Sequence, residues 1–241
     1  MSWHTSRMAG FDIESTGPDP LTARIVTACV VQCGGSQPVQ SATWLTDVDG
    51  EDIPAEAAAI HGVSTERARA EGVDLREAVD EIIGALSQVA LSDGIPVVAM
   101  NARYDLTLLD REARRYGMTP LTDRLGGDLR VIDPFVIDKQ VDRYRRGKRT
   151  LTALCEHYEV PLDGAHQADA DALAACRVAW RQGTRYERLA GMTLDALHAA
   201  QIAWAAEQAA SLQEHFRKKD PGAVVEGAWP VIPHQAGGEQ Q

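Results

Sequence analysis

The stretch Met8-Ala9-Gly10-Phe11-Asp12-Ile13-Glu14, followed at once by Ser15-Thr16-Gly17-Pro18, decides how this chain is read. A short, mainly apolar run that stops at a Ser/Thr/Gly/Pro cluster predicts a buried strand ending in a turn. Two carboxylates close that strand. Side chains two apart in a strand share a face, so Asp12 and Glu14 stand side by side while Phe11 and Ile13 face the other way. Neighbouring carboxylates repel unless one keeps its proton or a cation lies between them, and a hard divalent ion such as Mg²⁺ takes oxygen ligands of this kind. For the pair alone, a solvated strand end is the plainer alternative.

The apolar run Ile25-Val26-Thr27-Ala28-Cys29-Val30-Val31 stops at Gly34-Gly35, and 39–45 returns as a third strand. This predicts an antiparallel meander. Helical spacing then takes over around 55–60, 65–70 and 75–89, before Pro96-Val97-Val98-Ala99-Met100 gives another buried strand. Leu106, Leu109, Ala113 and Tyr116 recur at helical intervals up to Gly117; a last strand at 129–132 precedes helices near 134–142, 150–158 and 168–182. A meander followed by strands alternating with helices predicts an α/β fold, a mixed sheet with helices packed on it.

The 241 residues allow one large domain plus an extension. With 44% apolar and 24% charged residues the composition is that of a globular domain, which excludes a chain disordered throughout. The net charge of −11 argues against a surface that grips nucleic acid everywhere by bulk charge and leaves room for a local basic patch. No run approaches the roughly 18 apolar residues of a membrane span, and Met1 to Arg7 lacks the apolar run of a signal peptide, so the expectation is a soluble, cytoplasmic chain without membrane partners. Cys29, Cys33, Cys155 and Cys176 form no Cys-x-x-Cys pair and lie in apolar or helical segments, where buried free thiols are expected.

Two further acids and a histidine fall at chemically suggestive places. Asp105 follows the strand at 96–100 and Asn101, near the start of the next helix, where sites gather in α/β sheets. A helix-start acid favoured by the macrodipole is the ordinary reading of such a residue. His166 and Asp171 open an Ala-rich helix, and Asp169, two before Asp171, cannot share its face.

Taken in order, Phe11-Asp12-Ile13-Glu14-Ser15-Thr16-Gly17, then Asn101-Ala102-Arg103-Tyr104-Asp105-Leu106, then His166-Gln167-Ala168-Asp169-Ala170-Asp171-Ala172 resemble the three motifs of the DnaQ-like (DEDDh) 3′-to-5′ exonucleases, a family that includes polymerase III epsilon-type proofreading subunits, RNase T and oligoribonuclease. Ile60-His61-Gly62-Val63-Ser64 looks like the turn that many members carry between the first two motifs. Tyr104 stands where Phe is more usual, which adds a hydroxyl that needs a partner if buried. The resemblance covers about residues 8–182.

It implies a ribonuclease H-like mixed five-stranded sheet flanked by helices, an exonuclease domain at 1–185, and a C-terminal helical extension and flexible tail at 186–241. It also implies two divalent ions, Mg²⁺ or Mn²⁺, held by Asp12, Glu14, Asp105 and Asp171. In that scheme Asp12 bridges both ions, Glu14 and Asp171 hold the ion carrying the attacking water, Asp105 supports the ion at the leaving group, and His166 is the general base. Its unperturbed pKa of about 6.5 suits that task. Ile13, Ser15, Thr16, Gly17, His61, Asn101 and Tyr104 would line the pocket for a terminal nucleotide. The implied activity is release of nucleoside monophosphates from single-stranded 3′ ends, of DNA in proofreading or repair or of RNA in trimming. A non-catalytic nucleic-acid- or polymerase-binding module is the reading from another class.

Two features lie outside those motifs. Arg143, Arg145, Arg146, Lys148 and Arg149 put five cations in seven residues around Tyr144, either a solvated loop or a surface that tracks a strand's phosphates. The segment 193–219, capped by Thr193, predicts a helix of about 40 Å. Along it Leu197, Trp204, Ala205, Ala209, Leu212 and Phe216 form a stripe with a gap at Gln201. Such a stripe needs a cover: the chain's own core, a second copy in a homodimer, or a polymerase or sliding-clamp partner. Roughly the last ten residues are expected to be disordered.

Overall fold

A computed structural model describes residues 2–91, 94–162 and 167–234. Five strands form one sheet: β1 (Arg7–Ser15), β2 (Ile25–Gly34), β3 (Gln40–Leu45), β4 (Val97–Val98) and β5 (Val131–Ile132), in the order β3-β2-β1-β4-β5. The first three pair antiparallel, as the meander requires, and β4 and β5 add in parallel on the other side of β1. β1 is therefore the central strand. Its Ala9, Phe11 and Ile13 are buried in the main core with Val79, Ile82 and Leu86 of α3 (Leu75–Leu91) and Leu106 and Leu109 of α4 (Arg103–Arg115). Gly10, Asp12 and Glu14 look the other way, toward α8 (Ala168–Arg185).

Between β3 and α3 lie α1 (Ala55–His61) and α2 (Thr65–Glu71). Ser64 caps α2 by accepting from the Arg67 amide. After α4 come the short α5 (Leu121–Leu125), then α6 (Pro134–Val141) beyond β5, α7 (Leu151–Tyr158), α8, the four-residue α9 (Glu187–Ala190) and α10 (Leu194–Arg217). Neither α5 nor α9 is expected from the sequence. All four cysteines are free and buried. Burial pushes the Cys29 thiol up to about 12 and the Cys155 thiol up to about 11, which keeps both protonated.

The C-terminal segment shares the domain's core. Leu189, Leu197, Trp204 and Trp229 belong to the same buried cluster as Phe11. Gln201, the break in the apolar stripe, is itself fully buried: its side chain accepts from the Asp133 amide at 2.7 Å and donates to the Val131 carbonyl at 2.9 Å. One polar residue thus welds α10 to the end of β5. Beyond Ala209 the stripe emerges, with Leu212 39% and Phe216 47% exposed. Replacing Trp204 by Ala is expected to cost about 3–5 kcal/mol, and Leu212 by Ala under about 1 kcal/mol, a contrast that urea midpoints of the two variants check.

Residues 232 and 233, where the expected disordered stretch begins, are bonded to α4. The Ile232 amide donates to Thr107 Oγ1 at 3.0 Å, and Arg111 donates to the carbonyls of Ile232 and Pro233. These bonds fasten residues 232–233 to α4, which the Pro-rich composition did not reveal. Residues 235–241 lie outside the described residues.

Candidate active site

The end of β1 is where three elements meet. Parallel pairing sets Ala9 opposite Val97 and Gly10 opposite Val98, so the chain leaves β4 beside Asp12 and turns into α4 within reach of it. Asp105, in the first turn of α4, accepts a hydrogen bond from the Ile13 amide at 2.9 Å, which locks the second motif onto the strand between the two acids of the first. From the opposite face α8 brings Asp171: oxygens of Asp12, Glu14 and Asp171 all lie within 4.8 Å of one another.

That approach depends on Gly10. A Cβ there would stand 2.3 Å from the Ala172 carbonyl oxygen and 3.0 Å from the Cys176 sulfur, so only a residue without a side chain lets α8 come this close. Gly10→Ala is expected to destabilise the protein by about 1–3 kcal/mol. Displacing Asp171 by even about 1 Å should lower turnover by roughly 10²-fold. Urea unfolding and initial rates, measured on the same preparation, test both parts.

Electrostatics mark the cluster as frustrated. Burial, then the charges of Asp105, Glu14 and Asp171, hold the Asp12 carboxyl well above the usual carboxylate range. Burial also raises Asp105, with further contributions from Asp133 and Glu14, against the lowering effect of the Ile13 amide bond. Four carboxyl groups that repel one another and are partly withdrawn from water form a donor set of hard oxygens, the chemistry that a divalent cation satisfies. Asp12, Glu14 and Asp171 are placed to hold one, with Asp105 alongside.

Beside Glu14 a cleft of about 400 Å³ runs between the β1 turn, Ser15 to Pro18, and α1, with Pro54, Ala57, Ile60 and His61 on its far wall. His61 Nδ1 accepts from the Val63 amide at 3.2 Å, so the proton sits on Nε2, which meets no acceptor among the described residues. Burial keeps this ring neutral by lowering its pKa. The Tyr104 hydroxyl finds the partners its burial demands, Ser15 Oγ and the Gly17 carbonyl. It thereby ties α4 to the turn that edges the cleft. Thr16 faces inward, its Oγ1 accepting from the Arg24 amide at 2.9 Å.

Of the other sequence-derived site residues, His166 lies outside the described residues. Asn101 adopts a left-handed backbone (φ 62°) and lines a different cavity, with Arg103, Asp133 and Trp229. The basic run divides. Arg145 and Arg149 both bond to the buried carboxylate of Asp138, Arg145 at 2.8 Å and Arg149 at 2.5 Å, so Arg145, expected either in a solvated loop or on a phosphate-tracking surface, is held by an acid of the chain itself. A buried acid drew both guanidinium groups inward. Arg143, Arg146 and Lys148 remain exposed.

Sequence reasoning missed Asp133. Its buried carboxylate accepts from the amides of Asn101 and Ala102, both at 3.0 Å, from the Phe135 amide at 2.9 Å and from Trp229 Nε1 at 3.1 Å. It caps α6 and clamps the loop that delivers Asp105. The local signal, an acid before Pro134 at a helix start, announces the cap alone.

The sheet order, the central two-acid strand and the flanking helices are the ribonuclease H-like architecture. A family model described as an exonuclease, the RNase T family, matches residues 9–179, and the chain belongs to this DnaQ-like exonuclease family. Among solved structures the fold is similar to exonuclease I (TM-score 0.64, 20% identity over 76% of this chain and 42% of that one), to E. coli exonuclease I in complex with a dT13 oligonucleotide (0.61, 19%, 76% and 42%) and to a zinc-bound E. coli exonuclease I–ssDNA complex (0.62, 19%, 77% and 42%). The match therefore spans less than half the length of those chains. No curated protein matches the chain. No helix among the described residues is long and apolar enough to cross a membrane.

Proposed function

We propose that the chain is a metal-dependent 3′-to-5′ exonuclease that releases nucleoside monophosphates from single-stranded ends, with DNA as the favoured substrate. The observation that carries this reading is the convergence of Asp12, Glu14 and Asp171 oxygens within 4.8 Å, with Asp105 bonded to the same strand, at the mouth of a nucleotide-sized cleft. Two divalent ions held by these four carboxylates would activate water at neutral pH and relieve charge on the leaving 3′ oxygen. Membership of the exonuclease family and the zinc-bound relative of the same fold support a metal centre.

The chain's own residues do the rest. Pro54, Ala57 and Ile60 offer an apolar wall to the terminal base or sugar, and His61 closes that side of the cleft. Tyr104 holds the Ser15 to Gly17 turn at the cleft's edge. His166, on the resemblance, takes the proton from the attacking water. DNA is favoured because relatives of this fold have been seen with DNA strands.

The test is digestion of 5′-labelled DNA and RNA oligonucleotides side by side. Ladders shortening from the 3′ end, faster on DNA and halted by a bulky 3′ block, are expected. Faster loss of RNA would convert the reading to an RNA-trimming enzyme. Cleavage of circular strands would end the exonuclease reading, and tight binding without cleavage in Mg²⁺ or Mn²⁺ would favour a non-catalytic module.

A further inference from the structure

Resting on the nuclease reading above, we propose that the groove between α6 and α10 holds the phosphate backbone of a single nucleic-acid strand upstream of its 3′ end. Two adjoining cavities, the larger about 340 Å³, share Lys139, Gln208 and Leu212 and so form one groove. It opens at Asn101 and Arg103, immediately before the helical turn that carries Asp105, and runs to Arg143 and His215. The groove thus begins at the second motif and leads away from it.

Charge is what singles this groove out. In a chain of net charge −11, the two densest basic runs meet here although about 70 residues separate them. Arg143 belongs to the loop that also carries the exposed Arg146 and Lys148, and His215 lies in the last turn of α10, which ends at Arg217 just before Lys218 and Lys219. Arg143 and His215 line the same cavity. Asp138 is engaged by Arg145 and Arg149, whereas Asp133, at the inner end of the groove, is bonded by neutral amides and the Trp229 indole alone. Glu226, whose carboxylate accepts from the Ala228 amide, and Glu207 are the carboxylates on the groove wall facing Arg103, Lys139, Arg143 and His215. Lys139 and Arg143 make no ion pair among the described residues; they lie over aromatic rings, Lys139 4.8 Å from the Phe135 centroid and Arg143 6.0 Å from that of Tyr144.

Exposed apolar side chains adjoin the groove: Leu212 lines it, and Tyr144 and Phe216 follow its lining residues Arg143 and His215 in the chain. Tyr144 is 88% exposed, and Leu212 and Phe216 surface where α10 leaves the core. A basic groove with exposed rings is how proteins hold single strands without reading sequence, phosphates on the cations and bases on the apolar faces. An acidic peptide would answer the charge and leave the rings unused.

The test is binding, measured apart from hydrolysis. Fluorescence anisotropy of 5′-fluorescein dT20 and dT4 on the full chain in EDTA is compared for the wild type, Arg143→Glu with Lys139→Glu, and the milder Arg143→Gln with Lys139→Gln, all checked by thermal melts. For dT20 the charge-reversed pair should lose at least about tenfold in affinity, with the salt slope shallower by roughly 0.7 for each phosphate contact removed. The Gln pair should lose less in the same direction, and dT4 should change by under about threefold because it is too short to fill the groove. Unchanged dT20 affinity in folded variants overturns the proposal. So does a hexaglutamate peptide that competes with itself but not with dT20, which would make this a protein-docking surface. A wild type that binds dT20 through these residues but releases no mononucleotide would instead sink the nuclease reading and leave the groove standing.

Discussion

Replacing Asp12 by Asn is expected to lower hydrolysis by roughly 10²–10³-fold and, in the same protein, to raise the melting temperature measured in EDTA. The first effect follows from loss of a carboxylate at the centre of the acid cluster. The second follows from its repulsion: Asp12 lies against Glu14, Asp105 and Asp171, and its carboxyl holds its proton well above the usual range. A carboxyl whose folded pKa is raised contributes stability below its unfolded pKa, and that contribution disappears as pH climbs through the folded pKa. The gap between variant and wild type in EDTA should therefore widen from pH 5 to pH 8, by roughly 2–4 °C for each 1 kcal/mol of repulsion relieved. Mg²⁺ should raise the melting temperature of the wild type and not of the variant. A variant that melts below the wild type in EDTA at pH 8 would contradict this description of the cluster.

The second large effect is expected at Asp133. Substitution by Asn keeps the shape but turns an amide NH₂ toward donors, since one carboxylate oxygen takes the Ala102 amide and Trp229 Nε1 while the other takes the Asn101 and Phe135 amides. Two buried donors left unmatched, at about 1–3 kcal/mol each, predict a loss of roughly 2–6 kcal/mol. At temperatures where the variant stays folded, kcat should fall more than KM rises, because the loop from Asn101 to Asp105 loses its clamp while the cleft at Ser15 and His61 is untouched. Trp229→Phe removes one donor without creating a clash and should cost far less. Equal stability for Asp133→Asn and Trp229→Phe would dismiss the clamp.

What the sequence made legible is what period and order encode. The alternation in Arg7–Ser15 placed Asp12 and Glu14 together on the face that α8 covers, and the helical spacing after Gln167 put Asp171 in the first turn of that helix. The antiparallel meander of the first three strands was legible as well, whereas the order β3-β2-β1-β4-β5, with β1 at the centre, was not. What stayed hidden depends on partners far along the chain. Asp133 looks like a helix cap until Trp229, 96 residues later, donates to it. Arg145 looks free until Asp138 is seen to be buried beneath it. Gln201 looks like a flaw in an apolar stripe, whereas its amide satisfies two backbone groups at the end of β5. The five residues of α5 are too few to show a period at all.

Asp12, Glu14, Asp105 and Asp171, as the divalent-metal centre proposed for phosphodiester hydrolysis, should make hydrolysis depend on the ion itself. The most direct measurement is the rate at which EDTA-stripped protein hydrolyses the p-nitrophenyl ester of thymidine 5′-monophosphate, before and after Mn²⁺ is returned. No measurable rate without metal, restored in proportion to the Mn²⁺ added and absent in Asp12→Asn, is the predicted result. A rate undiminished in EDTA, or none in saturating Mn²⁺ from protein that binds the ion, would contradict it.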